Sequence, residues 1–289
     1  MTEKQEMDGV LVVDKPSGPT SHDIVDQVRR LLQTRAGHTG TLDPLATGVL
    51  PLVLGQATRL SQYLLGKDKE YRAVIRLGRT TDTGDRAGKT LQERPLSPVS
   101  DAQALEVLSR FEGEIEQRAP LYSAIKVKGK RLYKLARQGK KPERPLRRVT
   151  IRSIELLERS QERWTVLVNC TAGTYIRSLA EDVGEVLGFG AHIEDLRRTR
   201  SGPFDLEHSI PLQDVASSWE EAFVPMQELL PEFPGVEIDS ALAARVRHGN
   251  EIILPDRLPP GMCRLLQRGR LLALADCNGI SARPRTVFK

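Results

Sequence analysis

Hydrophobic and polar positions divide the chain into short elements of changing period. Gly9-Val10-Leu11-Val12-Val13-Asp14 is an apolar run stopped by Lys15-Pro16-Ser17-Gly18-Pro19, as expected of a short strand ending in a turn. Ser21 is placed to cap a helix whose apolar residues, Ile24, Val25, Val28, Leu31 and Leu32, fall on one face. A glycine-punctuated loop, Gly37 to Gly48, leads into the apolar stretch Val49 to Leu54. Tyr71, Ala73, Ile75 and Leu77 alternate with Arg72, Val74 and Arg76, the period-two pattern of a half-buried strand. Leu105, Leu108 and Phe111 mark a helix beginning near Ser100.

The second half continues in the same manner. Val149 to Leu157 and Trp164 to Cys170 read as paired strands. Thr174 to Leu187 reads as an amphipathic helix with the stripe Ile176, Leu179, Ala180, Val183, Val186 and Leu187. Strands and helices do not alternate regularly, which favours an α+β arrangement over a doubly wound parallel sheet. Around Glu232-Phe233-Pro234-Gly235 the texture changes to a short helix, Ala241 to Arg247, and small strands with a hairpin turning at Arg268-Gly269. A domain boundary is expected there, dividing residues 1–232 from 233–289.

Charge sharpens the picture. Residues 126–148 hold eleven Lys/Arg against one acid, Glu143, a local net charge of +10. Residues 234–289 carry +4, so the total of +5 leaves −9 on the remainder. An acidic body with one dense basic arm implies a polyanionic partner, although a solvated lysine-rich surface would show the same composition. Aromatic residues are only 4% of the chain, too few for a tiered stacking platform. A polyanion met through its backbone charge suits such an arm better.

Other features exclude chemistries. Cys170, Cys263 and Cys277 are odd in number and widely spaced, which suggests reduced thiols and a cytoplasmic setting. The amino terminus lacks a secretory pattern and no apolar run is long enough to cross a bilayer, so no membrane association is expected. There is no GxxxxGK[ST] stretch, no HExxH pair and no calcium-loop spacing around Thr81-Asp82-Thr83-Gly84-Asp85. Neither a metal nor a nucleotide cofactor is called for, which leaves chemistry that side chains perform alone.

The densest cluster of unusual residues is Gly37-His38-Thr39-Gly40-Thr41-Leu42-Asp43-Pro44-Leu45-Ala46-Thr47-Gly48. An isolated Asp-Pro is most often a helix N-cap followed by proline at the first helical position. Here nearby glycines permit another molecule to approach the backbone, and loops on rigid scaffolds are where reactive groups tend to sit.

That stretch resembles the catalytic-aspartate signature of the bacterial pseudouridine synthase family that modifies the tRNA T-loop. Other blocks resemble the same family in the same order: Lys15-Pro16-Ser17-Gly18-Pro19-Thr20-Ser21, Lys69-Glu70-Tyr71, Tyr122-Ser123-Ala124-Ile125-Lys126, Gly173-Thr174-Tyr175-Ile176-Arg177 and Leu196-Arg197-Arg198-Thr199. The resemblance spans about residues 9 to 204 and, at Leu45-Ala46-Thr47, leans to the stand-alone branch rather than the guide-RNA-dependent one.

The resemblance implies a mixed, largely antiparallel catalytic sheet with a basic RNA-gripping insertion at about residues 119–148. A small, mainly β PUA-like domain is expected at the carboxy terminus. It further implies isomerisation of uridine at tRNA position 55 by base flipping, with Asp43 as nucleophile. Arg177 would be its cationic partner and Tyr71 would stack on the uracil. His38 would fill the gap left in the RNA, Tyr175 and Leu196 would line the pocket, and Lys126, Lys130, Arg131 and Arg137 would meet phosphates. The implied partner is the tRNA T-arm, bound by a monomer without guide RNA or obligatory protein partner.

Several of these residues have plainer readings from the sequence alone. Tyr71 and Leu196 suit a core, and Arg177 could be an exposed helix arginine, although Ala180 and Gly184 beside it permit close packing. A tRNA-binding or folding module that needs no turnover is the alternative function.

Overall fold

The computed structural model describes residues 7–123, 125–127, 129–140 and 142–288, without the side chains of residues 126, 127, 131, 133 and 137. The first half contains β1 (Gly9–Lys15), α1 (Ser21–Leu32), β2 (Ala36–His38), β3 (Thr47–Leu54), α2 (Ser61–Leu65), β4 (Lys69–Leu77), β5 (Arg79–Thr81), β6 (Thr90–Glu93), α3 (Asp101–Ser109) and β7 (Gly113–Arg118). The basic insertion forms β8 (Lys126–Val127), β9 (Lys130–Arg131) and α4 (Leu132–Arg137). Then come β10 (Leu146–Arg159), β11 (Arg163–Cys170), α5 (Ile176–Val186), β12 (Ala191–Ser201), β13 (Phe204–Asp205), β14 (Ile210–Pro211), α6 (Val215–Ser218) and β15 (Phe223–Pro225). A second group comprises β16 (Gly235–Glu237), α7 (Ser240–Arg247), β17 (Ile252–Ile253), β18 (Gly261–Gln267), β19 (Arg270–Cys277) and β20 (Ser281–Val287).

The main sheet runs β14-β1-β3-β12-β4-β11-β10-β7, with β2, β13 and β15 attached at its sides. Only the β1/β14 and β3/β12 pairings are parallel, so the sheet is mixed and largely antiparallel as expected. One face carries α1, α3 and α5 over a core that includes Leu11, Leu52, Tyr71, Ile75, Trp164 and Leu179. The other face, through Val10, Val12, Val49 and Val53, packs against Leu271 and Leu274 of the second, five-stranded sheet and against Phe288 just after it. Arg59 reinforces that junction, its guanidinium 5.4 Å from the centre of the Phe288 ring. The hairpin between β18 and β19 turns at Arg268 and Gly269, both with positive φ, the primed turn that matches strand twist.

Some sequence expectations are displaced by a residue. Thr20, not Ser21, caps α1, forming a capping box with Asp23, while Ser21 becomes the first helical residue and is buried. Leu31 and Val186, assigned to apolar stripes, are 43% and 46% exposed at the ends of their helices. In α3 the buried residues are Ala104, Val107 and Leu108, and Leu105 points outward, one step round from the predicted face.

Candidate active site

The reactive loop lies between β2 and β3. Asp43 does not begin a helix: the Ala46 amide donates to the Asp43 carbonyl at 3.0 Å, so Asp43-Pro44-Leu45-Ala46 is a tight turn with proline second. The fixed φ of Pro44 favours that position. The loop is tied along its length. Ser21 Oγ donates to the Leu42 carbonyl at 3.0 Å and accepts from the Leu42 amide at 2.8 Å. Lys15 Nζ donates to the carbonyls of Pro44 and Ala46, at 3.3 and 2.8 Å, and the Gly18 amide donates to Pro44. The KPxGPTS block therefore acts as the bracket of the aspartate loop.

Arg177, from the first turn of α5, reaches the loop from the opposite side. Its side chain is only 3% exposed, and Nε stands 2.8 Å from Oδ2 of Asp43. The Nε–H is not aligned on that oxygen and has no other acceptor, so charge rather than a well-formed hydrogen bond holds the pair. Nη1 donates to the Thr83 carbonyl and Nη2 to the Tyr122 carbonyl, at 2.9 and 3.1 Å. Asp85 adds a second carboxylate 3.9 Å from Nη1. It is buried and fixed by the Thr83 hydroxyl at 2.7 Å and the Ala87 amide at 3.0 Å. The guanidinium is thus locked between two carboxylates and two carbonyls.

Asp43 keeps 31% of its side-chain surface, enough for a nucleotide to touch it, while protein surrounds the rest. Burial pushes its pKa up, Arg177 opposes this, Asp85 adds to the rise, and Lys15 pulls it down. The carboxylate is thus poorly hydrated, with the Arg177 cation beside it favouring its charged form.

Tyr71 is 8% exposed on β4, and burial raises its pKa. In the sheet it faces Arg198 of β12 on one side and Val168 of β11 on the other. Leu196 sits two residues before Arg198, opposite Ala73 and 5% exposed. Tyr175, just before α5, is half-buried, its amide bonded to the buried Gln117 side chain at 3.0 Å. Burial raises its hydroxyl pKa, with Arg147, Ser123, Arg177 and Asp43 as further influences. Asp43, Tyr71, Tyr175 and Arg177 therefore converge from the β2–β3 loop, β4 and the start of α5, with Leu196 on the neighbouring strand β12.

His38 ends β2 at the start of the loop, its Nδ1 accepting from the Gly40 amide at 3.4 Å. Burial lowers its pKa, with Arg198 and His22 adding to the effect, so the ring is neutral at pH 7. Lys130 is exposed on β9; the side chains of Lys126, Arg131 and Arg137 lie outside the described ones. Within the same basic segment Arg144 has a different role, with Nε donating to the Ala119 carbonyl and Nη2 3.2 Å from Glu181.

Asp85, Lys15, Ser21, Gln117 and Arg198 were not assigned site roles by the sequence. Their spacing along the chain carries no period; only their buried polar character marks them. No group of three or more His, Cys, Asp or Glu that could hold a metal occurs among the described residues. A roomy cleft of about 700 Å³ lies at the far ends of β4 and β12, away from Asp43. Its Arg76 and Arg163 are already paired with Glu162 and Glu194.

Residues 29–176 match the family model for the TruB family pseudouridylate synthase (N terminal domain). Residues 177–232 match that for the tRNA pseudouridylate synthase B C-terminal domain. The tRNA pseudouridine synthase B of an Azoarcus species is 46% identical over 98% of this chain and 95% of that protein. Its namesake from Aromatoleum aromaticum is 43% identical over 96% of this chain and 91% of that protein. Among solved structures, a Cbf5-Nop10-Gar1 complex superposes with a TM-score of 0.75 at 32% identity, covering 99% of this chain and 87% of the matched one. An H/ACA RNP bound to a substrate RNA containing 2'-deoxyuridine gives 0.74 at 30% identity, covering 100% of this chain and 87% of the matched one.

Proposed function

The chain belongs to the TruB family of pseudouridylate synthases, and from that premise we propose that it modifies one T-loop uridine of tRNA, position 55, with Asp43 as nucleophile. Isomerisation of uridine to pseudouridine in tRNA is the activity its relatives share by name. The observation that supports the assignment of Asp43 is its pairing with a buried, permanently charged Arg177 at 2.8 Å on a loop tied down at several points.

The reaction breaks the bond between uracil N1 and ribose C1′, joins C5 to C1′, releases the C5 hydrogen as a proton and returns a proton to N1. No oxidant, reductant or energy source is consumed. A carboxylate opens this sequence by attacking C1′ or C6, and both routes require Asp43 to be ionised. The uridine must leave the helical stack to reach it. Tyr71 and Leu196 then form the wall against which the everted base rests, and Tyr175 borders the opening. His38, neutral and at the loop's entrance, takes the space the base vacates. Lys126, Lys130, Arg131 and Arg137 meet the T-arm phosphates.

The chain divides in this reading into a catalytic unit, residues 1–232, and a PUA-like RNA-binding unit, residues 233–289. It works as a cytoplasmic monomer on tRNA directly, without guide RNA or protein partner; among the described residues no helix is long and apolar enough to cross a membrane. The test is incubation of the purified protein, without additives, with an unmodified tRNA tritiated at uridine C5. Release of one tritium per tRNA, mapped to the T-loop, is expected. Release from another arm would refute the site, and no release would refute the assignment of activity.

A further inference from the structure

Arg198 is a fully buried guanidinium, 1% exposed, in the middle of the main sheet. Among the described residues no carboxylate lies within ion-pair distance of it. Such a residue is a costly choice for a merely structural role, since an unpaired buried charge is strongly disfavoured and an apolar side chain would serve a core better. Nε donates to the Val49 carbonyl of β3 at 2.8 Å, and Nη2 donates to the Gly40 carbonyl of the reactive loop at 3.0 Å. Arg198 also stands directly opposite Tyr71 in the β4/β12 pairing, so the two side chains share one face of the sheet. Burial raises the Tyr71 pKa, and the Arg198 guanidinium opposes that rise.

We propose that Arg198 is a positioning residue for the isomerisation: it ties the reactive loop at Gly40 to β3 while holding the Tyr71 hydroxyl, so that the phenolic proton is turned toward the base pocket. The reason is one of donors and acceptors. A guanidinium has five N–H groups and no acceptor, so the tyrosine oxygen in contact with it must accept. The phenol's own hydrogen then points elsewhere, and the open side is the pocket. One side chain thereby couples the loop bearing the nucleophile to the residue against which the uracil stacks.

Two neighbouring cations show why arginine is required. Lys15 and Lys69 are also buried, and each is bonded to backbone carbonyls: Lys15 to those of Pro16, Pro44 and Ala46, Lys69 to those of Leu65 and Lys67. Burial pushes both pKa values down to about 8, with Arg198 contributing to each. Both lysines can shed their charge as the surroundings change, whereas an arginine keeps it. A hypothetical Cβ on Gly40 would lie 3.5 Å from Arg198 Nη1 and 3.7 Å from Lys69 Cε, so the loop backbone rests directly on these two side chains.

The inference rests on the reading of Asp43 and Tyr71 given above, and its test separates the two. Arg198→Met and Arg198→Lys are compared with wild type for single-turnover tritium release, tRNA affinity and thermal unfolding. Tyr71 is followed through the NMR signal of Cζ-labelled tyrosine, identified by its disappearance in Tyr71→Phe. Arg198→Met is expected to slow release by about 10- to 100-fold, the worth of one charged hydrogen bond, with tRNA affinity within about threefold. Arg198→Lys is expected to restore part of the rate, and the Tyr71 signal is expected to move in Arg198→Met.

A wild-type rate in Arg198→Met overturns the proposal. So does an unmoved Tyr71 signal in a slowed variant, which leaves only loop support. If Arg198→Met fails to fold, Arg198→Lys decides: a slowed release with a displaced Tyr71 signal supports the proposal, and a normal rate, or a slowed one with an unmoved signal, contradicts it. The parent reading fails separately, through wild-type protein that does not release tritium or through Asp43→Asn that does.

Discussion

Replacing Arg177 by methionine removes the cation from the reactive pair while keeping a side chain of comparable length. Two unit charges about 4 Å apart at an effective dielectric near 20 attract by about 4 kcal/mol, or about 3 pKa units. Asp43 keeps 31% of its side-chain surface, so water screens part of this, and an upward move of its pKa is expected. The sign is fixed: burial already raises the Asp43 pKa, Arg177 opposes the rise, and its loss lets the pKa climb further. Activity depends on the ionised carboxylate, so the acid limb of the rate profile moves to higher pH. On the acid limb the expected loss is about 10- to 100-fold, with partial recovery as pH rises. The assay is single-turnover tritium release from uridine-labelled tRNA between pH 5 and 9. Stability falls as well, by about 3–5 kcal/mol, because the carbonyls of Thr83 and Tyr122 lose their donor and Asp85 loses its cation. Arg177→Lys, which keeps the charge without the fork, should lie between the two. An acid limb that stays in place, or moves to lower pH, would refute the electrostatic role given to Arg177.

Three further outcomes test other parts of the account. Lys15 has a folded pKa near 8 against an ordinary value of 10.5, so between these values the unfolded chain holds the proton that the folded one has lost. Wild type should therefore gain up to about 3 kcal/mol relative to Lys15→Met as pH rises from 8 to 10.5, measured by urea unfolding. Gly48 has φ of +101°, and an added Cβ would lie 2.2 Å from the Arg198 carbonyl oxygen. Gly48→Ala should cost about 3 kcal/mol or more in thermal unfolding, and an unchanged melting temperature would contradict the packing described. Lys130→Ala should weaken tRNA binding and reduce the slope of log affinity against log salt by about one, leaving the single-turnover rate at saturation unchanged; an unaltered slope would take Lys130 out of the interface.

The elements of the sheet were readable because their patterns are strong. The alternation through β4 placed Tyr71 on the buried face, and the apolar runs of β1 and β3 marked central strands. Boundaries failed where two residues offered the same local chemistry: Thr20 and Ser21 can each cap α1, and only the need of the Leu42 backbone for a partner decides between them. The outward Leu105 shows the same limit, since a three-residue spacing fits more than one face of a short helix. Asp43, Tyr71 and Arg177 could be named from motif resemblance, but nothing in their spacing indicated that they meet. Their meeting depends on α5 packing across β12, where the Gly184 backbone touches Ala191 with no room for a side chain. The supporting residues Asp85, Gln117 and Arg198 were invisible for a related reason: a buried polar residue is recognised by its partners, and those partners lie far away in sequence.

The most direct measurement compares wild type with Asp43→Asn on the same tritiated, unmodified tRNA. The substitution keeps shape and removes the charged oxygen. Tritium release is expected to vanish while tRNA binding stays within about threefold of wild type and the fold is retained. Release at a wild-type rate by the asparagine variant would mean that another group performs the attack.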